Sequence, residues 1–421
     1  MIYIKDLIRK KREKKELTEE ELNFFIYSYN RDEILKEQAA SLLTLMYTNG
    51  LTEKELGYLV KAMSETGEKS ELYRISNKIV DIHPVGGMDD KIVIMLIAII
   101  NALGYNSAKI IGREIGIKDK LRDVHIYKTN YKNIEELEAK LQKKEIILFE
   151  EPENTAPVEN KLYKLRNDIA CNDDIELIAI SLMSQKVAIG VKNIVFDISY
   201  GEKAYVKTLN DAKKLLQVLE KIGNTLNVGV RGIITKLEEP LGKYFGSGLE
   251  LKEALEALKG NMSEDIKSLT LEMGSEIISL ITKNNNEKQN KNMIQEIIDN
   301  GQAYKKLIEL INKDEIQIKP KNVIPVMSQV DGYVERIDMS IIRSNAKYLN
   351  AIRHNEEQEL DYEAGIELSK KIGDRVEIGE ILGCIYTNDD TKIQSAVQYL
   401  KDAYVISNTR PKYKGRIDGI L

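Results

Sequence analysis

The chain has 421 residues, 43% hydrophobic and 31% charged, with a formal net charge of -5. That length exceeds one ordinary core and implies two or three domains, and the negative balance disfavours a nucleic-acid partner. Two distant cysteines, Cys171 and Cys384, exclude a disulfide framework and read as buried reduced thiols, while no apolar run is long enough to span a bilayer. The N-terminus lacks an apolar core with a cleavage site, so a cytoplasmic protein without a membrane partner is expected.

In chain order, the first 67 residues read as helices. Thr18 to Glu21 and Thr52 to Glu55 each form a Thr-x-x-Glu capping box ahead of an apolar run. Between them, Ala39 to Met46 is an apolar helix stopped at Asn49-Gly50. From about residue 78 the texture becomes strand, helix, strand. Short strands are predicted at Lys78 to Ile82, Ser107 to Ile111 and Ile146 to Phe149. The apolar segment from Ile92 and the helix Ile134 to Lys143 lie between them. A second helical stretch runs from Val158 to Ala188. The rhythm resumes with a strand at Asn193 to Ile198, a helix at Asn210 to Leu226 and a strand at Val230 to Ile234. After Pro320, strands surround glycine turns, and Gly373 to Glu380 has the turn of a lipoyl-like β module without its lysine.

The expected fold class is therefore α/β. A small all-helical domain (1–70 plus 158–190) joins a larger α/β domain (75–155 plus 192–320) with a mostly parallel central sheet. A C-terminal α+β cap with a lipoyl-like β module covers 325–421.

One segment carries a glycine turn between strand and helix, Asp81 to Asp90, containing Gly86 and Gly87. Such a turn can present backbone N–H groups to an anion. Asp89 and Asp90 in the same turn would repel phosphate and equally serve as helix caps.

This segment resembles the strand-turn-helix of the thymidine and pyrimidine-nucleoside phosphorylases, which reads Lys-His-Ser-Thr-Gly-Gly-Val-Gly-Asp. The resemblance extends along the chain in order. It includes Ile8 to Arg12, Leu17 to Phe25, Tyr163 to Arg166, Ser181 to Lys186, Pro240 to Gly242, Glu250 to Leu255, Leu258 to Gly260 and Gly373 to Glu380. It implies reversible phosphorolysis: phosphate attacks C1′ of a pyrimidine nucleoside, giving free base and pentose 1-phosphate. That chemistry needs a cationic, hydroxyl-rich cradle and donors for charge on the departing base.

The cradle is where this sequence departs. The family Lys, Ser and Thr fall at Ile82, Pro84 and Val85, and a further phosphate-binding Ser falls at Val93. The second glycine-rich loop is reduced to Ile111 to Gly116. Losing a lysine and two hydroxyls removes roughly 4–6 kcal/mol, on the order of a thousandfold in phosphate binding. Gly86, Gly87, Lys91 and Arg113 remain as a phosphate-side remnant.

The resemblance places Arg166, Ser181 and Gln185 at the pyrimidine-contacting positions, Gln185 standing for a lysine. Read without it, Arg166 is a solvated or capping arginine and Ser181 a packing residue. His83 falls on a family histidine that can protonate the base, and equally suits a structural histidine. His125 and His354 have no comparable context. Leu241, Tyr244 and Glu253 fall where the family binds a monovalent cation, potassium, with Lys91 at another cation contact, so the Lys91 ammonium is a candidate replacement for the ion. No other cofactor is implied.

Three functions follow as expectations: a member with lost or weakened phosphorolysis that still binds a pyrimidine base or nucleoside, an active phosphorylase with a rebuilt phosphate site, or a hydrolase using Asp89 or Asp90 as base. The resemblance also implies a homodimer through the helical domain, whose apolar faces include Phe24, Phe25, Leu42, Leu45 and Leu59.

Overall fold

The computed structural model describes residues 1–421 except 68–72, 77–79, 87–89, 107, 112–114, 122–126, 129–133, 151–153, 203, 313–315, 354–356, 414 and 421. Four helices open the chain: α1 (Ile4–Arg12), α2 (Glu19–Asn30), α3 (Lys36–Asn49) and α4 (Glu53–Ser64). Both capping boxes form, Thr18 with Glu21 and Thr52 with Glu55, so each helix starts where its own side chains satisfy the first amides. Gly50, at φ 73°, ends α3.

After the short α5 (Tyr73–Ser76) come β1 (Asp81–Val85), α6 (Asp90–Ala102), β2 (Ala108–Ile111), α7 (Ile115–Lys120), β3 (Tyr127–Lys128), α8 (Ile134–Gln142) and β4 (Ile147–Glu150). The chain then returns to the bundle through α9 (Pro157–Asp168) and α10 (Ile175–Ile189). It continues with β5 (Asn193–Tyr200), α11 (Leu209–Leu226), β6 (Gly229–Lys236), β7 (Tyr244–Phe245) and α12 (Ser247–Leu258). Next are α13 (Glu264–Thr282), α14 (Glu287–Asp299) and α15 (Gln302–Ile311). The C-terminal part contains β8 (Asn322–Met327), β9 (Gly332–Ile337), α16 (Met339–Tyr348), β10 (Gly365–Leu368), β11 (Arg375–Val376), β12 (Ile381–Thr387), α17 (Ile393–Ala403), β13 (Tyr404–Ser407) and β14 (Ile417–Ile420).

The central α/β region is parallel, as its crossover spacing predicts. Strands β1, β5 and β6 run parallel side by side, and β2, β4 and β3 form a second parallel group. The last strand, β14, leaves the C-terminal block of 325–421 and pairs antiparallel with β6. α6 is buried at every position from Lys91 to Ile100 because α12, α13, α14 and α15 enclose it, which explains an apolar run without a polar face. A second apolar core lies beneath the bundle and α9 to α11, and a third fills the C-terminal domain.

Two readings of the sequence need correction. Cys384 is half-exposed on β12 rather than buried, and only Cys171 is enclosed. Phe25, Leu42 and Leu59 are buried in the chain's own core, so they are not a free dimer face. Amphipathic periodicity marks a buried stripe without saying which chain covers it. No helix among the described residues is long and apolar enough to cross a membrane.

Candidate functional site

The carboxyl end of β1 sets the site. Register places Pro84 beside Asp197 of β5 and Val85 beside Ile198. The turn that follows needs glycine at residue 86. Its φ is 74°, and a Cβ there would lie 3.2 Å from the Ser199 carbonyl and 3.2 Å from Tyr205. Ile82, Pro84 and Val85 are buried, with Ile82 and Val85 packed into apolar clusters, and Val93 is buried on α6. Side chains at these four positions thus serve packing and offer no donor. Gly87, Asp89, Gly112, Arg113, His125 and His354 lie outside the described residues, and Asp90 begins α6.

Beneath the turn is a buried ionic cluster that sequence reasoning missed. Asp81 forms an ion pair with Lys186 at 2.8 Å and accepts from Lys109 at 3.4 Å, and Lys109 also donates to the Ile82 carbonyl at 2.6 Å. Burial pushes the Asp81 pKa up, but the two ammonium groups more than offset this and hold it at about 2. His83 is next to this cluster, with its ring edge-on to Phe196 at 5.9 Å. Burial, reinforced by Lys186 and Lys109, holds its pKa well below the ordinary 6.5, so the imidazole is neutral at pH 7. The available signal was a lysine set between apolar residues, in Ala108 to Ile110 and again at Lys186.

The opposite wall is the seam between α9 and α10. Ser181 and Gln185, one turn apart on α10, both address the buried Glu159 of α9. Ser181 Oγ donates to Oε1 at 2.5 Å and Gln185 Nε2 to Oε2 at 3.1 Å. Glu159 is a site residue the sequence did not disclose, although its spacing puts it on the same helix face as Arg166. Arg166 Nη1 donates to the Leu177 carbonyl at 2.9 Å and Nε to the Cys171 carbonyl at 3.3 Å. Its Nη2 is buried and has no hydrogen-bond partner among the described residues. Arg166 is 4% exposed, and burial lowers its pKa from the ordinary arginine value. The solvated or capping reading of Arg166 is therefore set aside. The Tyr163 ring lies 5.9 Å from the guanidinium carbon. Tyr205 stands between the two walls: its hydroxyl donates to the Asn172 carbonyl at 2.8 Å, while its backbone flanks Gly86.

A third constellation lies at the other side of α6. The buried Lys91 ammonium donates to the carbonyls of Leu241 and Tyr244, each at 2.8 Å, and to Glu253 Oε2 at 2.6 Å. Glu253 Oε1 also accepts from the Lys243 amide at 2.6 Å. Lys371 holds the same loop from the C-terminal domain, donating to the carbonyls of Pro240 and Gly242. Tyr244 is pushed up to about 12, first by burial and then by Glu367 and Glu253.

Two family models match the chain: the glycosyl transferase family helical bundle domain at residues 5–67 and the pyrimidine nucleoside phosphorylase C-terminal domain at residues 333–407. A pyrimidine-nucleoside phosphorylase of Geobacillus stearothermophilus is 34% identical over 405 residues, covering 92% of this chain and 93% of that one. The chain belongs to the pyrimidine-nucleoside phosphorylase family. A relative of the same name from Staphylococcus epidermidis is 33% identical over 397 residues, covering 91% of this chain and 92% of its own. Among solved structures, anthranilate phosphoribosyltransferase from Thermus thermophilus is similar, with a TM-score of 0.52 and 16% identity over 73% of this chain and 98% of that one. That likeness concerns the fold alone.

Proposed function

We propose that this pyrimidine-nucleoside phosphorylase-family protein binds a pyrimidine base or nucleoside at the α9–α10 seam, with phosphorolysis lost or much weakened. The observation that carries the reading is Arg166 Nη2, a buried guanidinium donor without an acceptor among the described residues. Leaving such a group unpaired costs roughly 1–3 kcal/mol, and a pyrimidine carbonyl would recover it. Ser181 and Gln185 stand on the same seam, oriented by Glu159. The lost activity rests on Ile82, Pro84, Val85 and Val93, which give an oxyanion neither charge nor hydroxyl.

One observation favours a second reading, an active phosphorylase with a rebuilt phosphate site. Lys109 and Lys186 bring two ammonium groups to Asp81, at the start of the strand that leads into the glycine turn. Both already bind Asp81, so phosphate would have to compete with a buried carboxylate. The hydrolytic reading rests on Asp89 or Asp90 as base, and Asp89 lies outside the described residues.

The reading includes no bound potassium: the Lys91 ammonium fills the position with the same carbonyl and carboxylate partners. It also includes a cytoplasmic homodimer built on the helical bundle. Of the five apolar residues singled out for that face, only the half-buried Phe24 and Leu45 support it.

The deciding assay incubates purified protein with uridine or thymidine, with and without phosphate, and follows release of base. No release together with uracil-dependent thermal stabilisation is expected. Phosphate-dependent turnover at an ordinary enzyme rate overturns the proposal and establishes the second reading.

A further inference from the structure

A cavity of about 480 Å³ opens outside the carboxyl ends of β5 and β6, where Tyr200 and Lys236 end their strands. The C-terminal domain closes its far side with β9, Ile372 and residues 411–413. Sheets of parallel strands take ligands in such a crevice, and the volume suits a small organic molecule. The cavity is separate from the α9–α10 seam, yet the two share a wall. In the loop after β5, Gly201 and Lys207 line the cavity while Tyr205 flanks Gly86 on the cleft side.

The lining has two characters. Leu237, Ile337, Ile372 and Val405 give it an apolar floor. Of the charged groups above the floor, Lys236 is held by Glu238 at 2.6 Å and Arg336 by Asp338 at 2.9 Å. Asp338 is further committed to capping α16. Among the described residues, Lys207 donates only to the carbonyls of Ala204, at 2.8 Å, and Glu202, at 3.3 Å. Neither Lys207 nor Lys412 has a carboxylate partner among the described residues, and the Tyr413 hydroxyl has no hydrogen-bond partner there. Glu202 and Glu335 also line the cavity, so a bare anion gains little, and burial of a ring must supply part of the affinity.

We propose that this cavity binds a ring-bearing organic phosphate of nucleoside-monophosphate size. The ring lies on the apolar floor, Lys207 and Lys412 hold the phosphate, and the Tyr413 hydroxyl donates to it. The proposal is independent of the reading of the α9–α10 seam.

The test is calorimetric titration of the full chain with uridine 5′-monophosphate, and with inorganic phosphate alone, on the unaltered protein and on Arg166→Met. The monophosphate is expected to bind both proteins, and phosphate alone to give no detectable heat. Lys207→Met with Tyr413→Phe, or separately Lys412→Met, should weaken the monophosphate about tenfold or more, one charge-assisted contact being of that size. These side chains are at the surface of the cavity, and an unchanged thermal midpoint verifies the folding of each variant. Absence of binding to the unaltered protein overturns the proposal. So does binding that Arg166→Met abolishes and the cavity variants leave intact, because the monophosphate then occupies the cleft.

Discussion

Lys91 Nζ lies 2.6 Å from Glu253 Oε2, and both side chains are almost fully enclosed, at 2% and 8% exposure. Removing one partner of a buried pair leaves an uncompensated charge. Lys91→Met should therefore cost roughly 3–5 kcal/mol in chemical denaturation. Lys91→Ala leaves the same oxygens around a space, and potassium chloride should restore part of the loss where choline chloride does not. Equal stability in the two salts would show that the oxygens do not take an ion.

Arg166→Met should remove uracil- or uridine-dependent thermal stabilisation. The lost contact corresponds to roughly 1.5–3 kcal/mol of affinity, about tenfold to a hundredfold. Because Nη2 has no partner among the described residues, the free protein should lose less stability than two broken bonds to carbonyls would suggest. Ligand stabilisation that survives the substitution moves the base away from this seam.

The pH dependence follows from two depressed groups. His83 is neutral when folded, while the unfolded histidine takes a proton near 6.5. The stability it contributes is therefore present above pH 6.5 and declines as pH falls below it. Asp81, held at about 2 against an ordinary 3.8, adds stability above pH 3.8 that is lost as pH falls towards 2, roughly 2 kcal/mol in all. His83→Gln should flatten the first decline and leave the second. Unfolding midpoints measured from pH 8 to pH 2 read the difference.

Gly242→Ala should destabilise the protein by roughly 1–3 kcal/mol. The residue sits at φ 67°, and an added Cβ would come 2.4 Å from Glu253 Oε1. The methyl must displace the carboxylate that Lys91 binds, so denaturation should show strong non-additivity with Lys91→Met.

Features set by local chemistry were legible in the sequence. Thr18 and Thr52 carry their own cap partners three residues on, and both boxes form where the spacing predicts. The parallel order of β1, β5 and β6 follows from crossover lengths. The polar partners of the site were not legible, because they meet across long separations. Glu159 is 22 residues from Ser181, and Lys109 is 28 from Asp81. No local pattern distinguishes such a carboxylate or ammonium from a solvated one until the helices and strands are packed. Periodicity found the apolar stripes holding Phe25, Leu42 and Leu59 but not their covering, which is the chain's own core.

The tail returns to the main sheet: Ile417 pairs with Thr235, Ile420 with Ile233, and Asp418 accepts from the Tyr200 hydroxyl at 2.5 Å. The lipoyl-like module is therefore an excursion bracketed by a single sheet, rather than an appendage that ends the protein. Clipping the final few residues would strip an edge strand from the very sheet whose opposite edge carries His83.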